Sequence, residues 1–387
     1  MKSQRIQIVD LFCGCSGMGL GARRAGLDVA LSVDVDPVLT SSHGANFPGE
    51  RLELCDVAQL TGSDLREKAQ VTIDGIIGGP PCQGFSSIGR SDPDDPRRTL
   101  LKDFFRLVAE CEPSFFVMEN VKGLIAKKNI SELESALDLV RDKYHIVGPL
   151  LLDAKDYGAA TSRPRVFVFG FVEALHAKTF SSVLLQKVTD PTSVRDAISD
   201  LLGAKSASQQ CDSDFDLWQL SSEVNVSPYA RRLRSSNNLT TGLTCVQHKD
   251  SIIRRFSSVA PGKIDKVGRH FRLSWSGQCP TLRAGTGPER GSYQSVRPLH
   301  PSLPRVINVR EGARLQGFPD WFNFHRTSWH SFRMIGNSVS PIISEKIFEA
   351  VKESVTTVFD QISEIECKQF EPVVAGRQRM MEGQQEL

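Results

Sequence analysis

The chemistry in this chain centres on a cysteine and a carboxylate. Cys82 lies in the run Gly78-Gly79-Pro80-Pro81-Cys82-Gln83-Gly84-Phe85-Ser86. Two prolines before it and a glycine two residues after restrict the backbone and shape a loop that can present the sulfur at a pocket edge. Glu119 closes the apolar run Phe115-Phe116-Val117-Met118, and a carboxylate at the C-terminal edge of a parallel strand lies where open sheets hold their ligands. A soft nucleophile and a carboxylic acid together can add across a weakly electrophilic ring while handling the proton on a ring nitrogen. Arg163 and Arg165 precede the apolar stretch Val166 to Phe169. At i and i+2 of an extended segment their guanidiniums share a face, which suits gripping a phosphate or base carbonyl and also suits orienting Glu119.

The elements that must hold these residues alternate. An apolar run over Ile6, Ile8, Val9, Leu11 and Phe12 ends in Cys13-Gly14-Cys15-Ser16-Gly17-Met18-Gly19, and Met18, Leu20, Ala22 and Ala25 then recur at helical spacing. Val29 to Val33 reads as a second strand, ending at Asp34 and Asp36. Further strands are expected at Ile73 to Ile77, Phe115 to Met118 and Val166 to Phe171, with amphipathic helices near 99 to 111 and 131 to 143. Strands alternating with helices predict an α/β fold, a mostly parallel sheet covered on both faces. The glycine-rich turn can expose backbone donors to a cofactor, and Asp34 or Asp36 can accept from ribose hydroxyls. Asp56 lies where an adenine amino group could be met. The turn does not choose between a dinucleotide and S-adenosylmethionine.

The 387 residues allow two domains and a sizeable core. Lysine and arginine number 47 against 45 acidic residues, a net charge of +2, so any nucleic-acid contact must rest on local clusters. Nine cysteines are dispersed along the chain, with no apolar run of membrane-spanning length. That pattern predicts a reduced, cytoplasmic protein. Cys13 and Cys15 lack a second pair at zinc-ligand spacing, so no metal is expected. From about 173 to 277 the chain is rich in serine and asparagine and carries basic groups from Arg231 to Arg272, with aromatic anchors such as Trp218, Phe256 and Trp275. A second, smaller domain facing a polyanion is expected there. Helical patterns return around Ala313 and over Val339 to Val351, and the last residues, 358–387, are expected to form a loosely held tail.

With these residues in view, the chain resembles the DNA (cytosine-5) methyltransferase family. Asp10 to Gly19 is similar to its cofactor motif, Gly79 to Ser86 to its catalytic loop, and Glu119-Asn120-Val121 to its acid motif. Asp156-Tyr157-Gly158 with Arg163-Pro164-Arg165 is similar to its arginine motif. Arg310 to Pro319 and Gly336-Asn337-Ser338-Val339 complete the order. Three departures are Ser16 where glycine is commonest, Ala160-Thr161 for the usual Pro-Gln, and Ser340 for a frequent proline.

The resemblance implies a Rossmann-like S-adenosylmethionine-dependent domain over 1–172 and 278–357, with a target-recognition domain over 173–277. It implies that Phe12 stacks on adenine, that Asp34 binds the ribose, and that Asp56 accepts from the adenine amino group. Gly14, Gly17, Met18, Val35, Pro81, Asn337, Ser338 and Val339 would complete the cofactor pocket. Cys82 would add to C6 of a flipped cytosine while Glu119 serves N3, with Arg165 at the base carbonyl and Arg163 steadying the adduct. The product cofactor would be S-adenosylhomocysteine.

The partner implied is double-stranded DNA, with Ser86, Ile88, Arg97, Arg232, Arg255 and Arg283 as candidate contacts and residues 87–98 as a lid. The resemblance further implies a monomer associated with the nucleoid, of bacterial or phage modification type, with a cognate restriction endonuclease acting separately. Three other readings stand beside it: a transfer RNA cytosine-5 methyltransferase, whose Cys-Phe-Thr signature is absent here, a catalytically silent DNA-binding protein, and a nicotinamide oxidoreductase.

Overall fold

The computed structural model describes residues 5–81, 99–184, 187, 190–207, 215–222, 225–285 and 296–369, with side chains to 356. Cys82, Ser86, Ile88, Arg97 and the expected lid lie outside the described residues, as does the tail beyond 369. In chain order the strands are β1 (Gln7–Leu11), β2 (Asp28–Asp34), β3 (Leu52–Leu54), β4 (Gly75–Gly78), β5 (Phe115–Asn120), β6 (His145–Asp153), β7 (Thr161–Ser162) and β8 (Pro164–Phe171). Short strands β9 (Lys205–Ser206), β10 (Leu217–Gln219), β11 (Leu239–Thr241) and β12 (Cys279–Pro280) follow. The helices are α1 (Gly17–Arg24), α2 (His43–Asn46), α3 (Gly62–Ala69), α4 (Leu100–Cys111), α5 (Ile130–Leu137), α6 (Ala174–Leu184), α7 (Val194–Ile198), α8 (Pro228–Leu233), α9 (Asp250–Ser257), α10 (Val309–Gln316), α11 (Ser328–Asn337) and α12 (Pro341–Gln369).

Seven strands form one sheet in the order β3-β2-β1-β4-β5-β8-β6. The five from β3 to β5 are parallel, whereas β8 runs antiparallel to both β5 and β6. Buried strands read as continuous apolar runs because helices cover both faces. Every residue of β5 is buried. On one face α4 seats Phe104, Phe105, Leu107 and Val108 against β5's Phe116 and Met118. On the other, Phe169 and Phe171 of β8 meet Phe180 of α6, so the core around the sheet continues past residue 172. The strand β6 has no counterpart in the sequence reading, because it is only half-buried along its length and lacks a fully apolar run.

The helix α1 packs against α12. A Cβ at Gly21 of α1 would stand 2.4 Å from the Ser344 side chain of α12, so glycine is what allows the two helices to approach. The Ser344 hydroxyl donates to the Met18 carbonyl at 2.6 Å.

Beyond the sheet, β9, β10 and β11 form a small antiparallel sheet. Its surroundings share one apolar cluster with the end of the chain: Val194, Leu201, Leu220 and Leu243 pack with Leu315, Phe318 and Phe332. Arg314 of α10 fastens that junction, bonding Asp320 at 2.6 Å and Asp200 at 3.3 Å inside the interior.

Candidate active site

The parallel strands end at one edge of the sheet, where Glu119 with Arg165, and Asp34 with the glycine turn, are found. Glu119 sits one residue before the end of β5, buried. Its Oε1 lies 3.0 Å from Arg165 Nε across the β5–β8 pairing, in which Glu119 faces Phe167. Burial pushes the Glu119 carboxyl above its ordinary value, while the Arg165 and Arg163 guanidiniums pull the other way and leave a net rise. A carboxyl held in this way can keep a proton and donate it. Its second oxygen faces Gly79, where a Cβ would come within 3.0 Å of Oε2. Asn120 donates to the Pro80 carbonyl at 3.2 Å, tying the segment that leads to Pro81 and Cys82 to the end of β5.

The two arginines do not do the same work. Arg163 is almost fully buried, and its guanidinium donates to the carbonyls of Leu282 and Gly336 at 3.1 and 2.7 Å. It fastens the end of α11 and the segment after β12 beside β8. Only Arg165 meets Glu119 directly among the described residues.

A second cluster lies at the ends of β1 and β2. Asp34 accepts the Gly14 N–H at 2.8 Å on Oδ2 and the Asp36 N–H at 2.8 Å on Oδ1. The sequence reading offered Asp34 as an acceptor for ribose, and each oxygen retains a further lone pair for that purpose. Burial pushes this carboxyl up, and the two N–H bonds hold it down. Between the aspartates Val35 is 67% exposed. Phe12 takes a left-handed backbone (φ 56°) and is half-buried, and Asp56 is half-buried and accepts from Ala58 N–H. Gly14 has open space where a Cβ would stand, while Gly17 is closed against Ser338 and Val339, whose atoms a Cβ would strike. Asn337 is exposed at the same end.

Met18 differs from its expected place: its side chain points into the core with Ile8, Ala22 and Phe348, so only its backbone remains at the turn. Asp10 heads the motif that runs through the glycine turn, but it sits inside the apolar strand β1, and nothing in the sequence gives its side chain a role. Burial raises its carboxyl to about 7, against lowering by the Arg23 guanidinium and by the Gly19 N–H. The buried Ser16 hydroxyl lies beside the same turn, against the Cys13 thiol. The open face of Gly14, the exposed Val35 side chain and the Asp34 carboxylate fit a nucleoside cofactor.

The arginines expected on DNA are partly engaged within the molecule. Arg232 pairs with Glu345 of α12 at 2.5 Å, and Arg255 lies 3.4 Å from Asp265. Arg283 is exposed. Among the described residues no group of side chains is arranged to hold a metal ion, and no helix is long and apolar enough to cross a membrane.

An open, mostly parallel sheet with a glycine turn, strand-end aspartates and a buried acid on one edge defines a nucleotide-cofactor enzyme of the methyltransferase type. A profile of the C-5 cytosine-specific DNA methylase family matches residues 6–353, and the chain belongs to that family. Type II methyltransferase M.XorII of Xanthomonas oryzae is 38% identical over 358 residues, covering 88% of this chain and 82% of its own. Type II methyltransferase M.DdeI of Desulfomicrobium norvegicum is 32% identical over 406 residues, covering 92% and 90%. The crystal structure of a candidate DNA modification methyltransferase encoded within an E. coli prophage matches with a TM-score of 0.77 at 38% identity, over 90% of this chain and 99% of that one. The Dnmt2 methyltransferase of S. pombe shares the fold, with a TM-score of 0.59 at 18% identity over 91% and 100% of the two chains.

Proposed function

We propose that this DNA cytosine-5 methyltransferase acts as the modification enzyme of a type II restriction-modification system, using S-adenosylmethionine and a covalent Cys82 intermediate. The observation that carries the mechanism is the buried Glu119, its carboxyl raised by burial, held by Arg165 beside Gly79 and Pro80. Cytosine C5 is a poor nucleophile until C6 is attacked. Cys82 sulfur bonds to C6 while Glu119 gives a hydrogen bond or proton to N3, and the ring electrons collect at C5. The cofactor, when bound, supplies an electrophilic methyl group at that carbon. Loss of the C5 proton returns an electron pair to the ring, and the S–C6 bond breaks.

Asp34, Asp56, Val35, Phe12, Gly14, Gly17, Pro81 and residues 337–339 would hold the cofactor, with Met18 contributing backbone. Arg165 would contact the base carbonyl, and Arg163 would keep α11 in place. The substrate in this reading is double-stranded DNA, from which the target base must leave the stack at a cost of a few kcal/mol, with residues 173–277 as the recognition domain and 87–98 as a lid. Ser86, Ile88 and Arg97 belong to this proposal, with exposed Arg283. A monomer bound to the nucleoid, with a separate cognate nuclease, completes the reading.

Incubation of the full chain with duplex DNA and methyl-labelled cofactor, followed by base-resolution mapping, tests it. Label at C5 of cytosine within one recurring sequence is expected, and label on transfer RNA alone would overturn it.

A further inference from the structure

The last turn of α11 touches three separate segments of the candidate site. Gly336's carbonyl receives Arg163 at 2.7 Å. Met334's carbonyl receives the Cys15 thiol of the glycine turn at 3.6 Å. Arg333 forms an ion pair with Asp36, on the loop that follows β2. The first two contacts end on backbone and need no particular side chain from α11, but the third depends on Arg333 itself.

Asp36 is the knot of that loop. Its Oδ1 accepts the N–H groups of Val38 and Leu39 at 2.9 and 3.1 Å, and its own N–H donates to Asp34 Oδ1 at 2.8 Å. Asp34 in turn holds the Gly14 N–H through Oδ2. A continuous chain of polar contacts therefore runs from α11 through Asp36 and Asp34 to the glycine turn. Val35, between the two tethered aspartates, has nowhere to turn but outward, which accounts for a largely exposed aliphatic side chain at the end of a buried strand.

We propose that Arg333 is a positioning residue for the cofactor: by gripping Asp36 it fixes the loop so that Val35 stays presented as a shelf and Asp34 keeps its free lone pairs toward the ribose. This rests on the S-adenosylmethionine reading of the cleft. Both partners are partly open to solvent, and ion pairs of that kind add little to global stability. The effect should therefore fall on the ordering of one loop, and so on the ligand that the loop meets.

Arg333→Met, Asp36→Asn, the double variant and Arg333→Lys of the full chain are titrated with S-adenosylhomocysteine by calorimetry, with thermal melting alongside. Each of the first two is expected to weaken binding roughly tenfold, the size usual for coupling between linked groups. The double variant should be no weaker than the worse single, and Arg333→Lys should recover most of the affinity. The loss should appear in KM for the cofactor, with KM for DNA unmoved. Unchanged affinity in Arg333→Met, or additive losses in the double variant, would overturn the assignment, as would affinity falling only in step with the melting temperature. Wild-type protein that binds no S-adenosylhomocysteine would overturn the cofactor reading together with it.

Discussion

Among the buried carboxylates that face arginine, Asp320 and Glu119 have surroundings finished to different degrees. Asp320 meets Arg314 through both oxygens at 2.6 Å, and Asp200 adds a second acid to the same guanidinium while also holding Arg234 at 2.9 Å. All of Arg314, Asp200 and Asp320 is inside the protein. Glu119 has its direct contact with Arg165 on one oxygen, while the other faces Gly79. The first arrangement uses its charges up and joins α10 to the region around α7 and α8. The second leaves a carboxyl pushed toward its protonated form, with no hydrogen-bond partner for its other oxygen among the described residues, which suits a proton donor. Complete satisfaction marks a strut, and incomplete satisfaction in a buried acid marks a working group.

Substitutions should separate the two. Glu119→Gln keeps the shape but removes the acid, and methyl transfer should fall about 10²- to 10⁴-fold while chemical denaturation moves little. A turnover within a few-fold of wild type would remove the distinction. Arg314→Met strands the buried Asp320 and leaves Asp200 with Arg234 alone, and breaking such a pair usually costs about 3–5 kcal/mol. Urea unfolding should show that loss, and a change near zero would mean that the strut carries no load.

Asp10 extends the comparison to a buried acid with no formed ion pair. Its folded pKa of about 7 stands above an ordinary 3.8, so between those values the folded state keeps a proton that the unfolded chain has released. The stability tied to that proton is full below about pH 4 and is lost as pH rises through 7. Asp10→Asn should flatten the fall in unfolding free energy between about pH 5 and 7, where each pH unit is worth up to about 1.4 kcal/mol. An unchanged slope would show that Asp10 does not carry the proton.

Much of this was legible in the sequence, and what was not has a physical reason. The glycine turn, Asp34, Glu119 and Arg165 were found because strand ends are marked by where apolar runs stop. Arg163 looked equivalent to Arg165 two residues on, and only the carbonyls of Leu282 and Gly336, distant in sequence, reveal that it is a fastening. Arg232 and Arg255 read as free positive charge because sequence shows a charge without its partner, and their acids lie on α12 and in the loop after α9. The fold class followed from alternating strands and helices. The antiparallel reversal at β8 did not, since apolar periodicity carries no direction.

The central claim is that Cys82 and Glu119 converge on one extruded cytosine. Duplex DNA carrying 5-fluorocytosine at the methylated position, mixed with the enzyme and S-adenosylmethionine, should give a denaturation-stable protein–DNA adduct, because fluorine cannot leave as a proton. Peptide mass mapping should place the bond on Cys82, and Cys82→Ser should abolish it. An adduct on another residue, or methylation by the wild-type enzyme with no trapped species on the fluorinated duplex, would contradict the account.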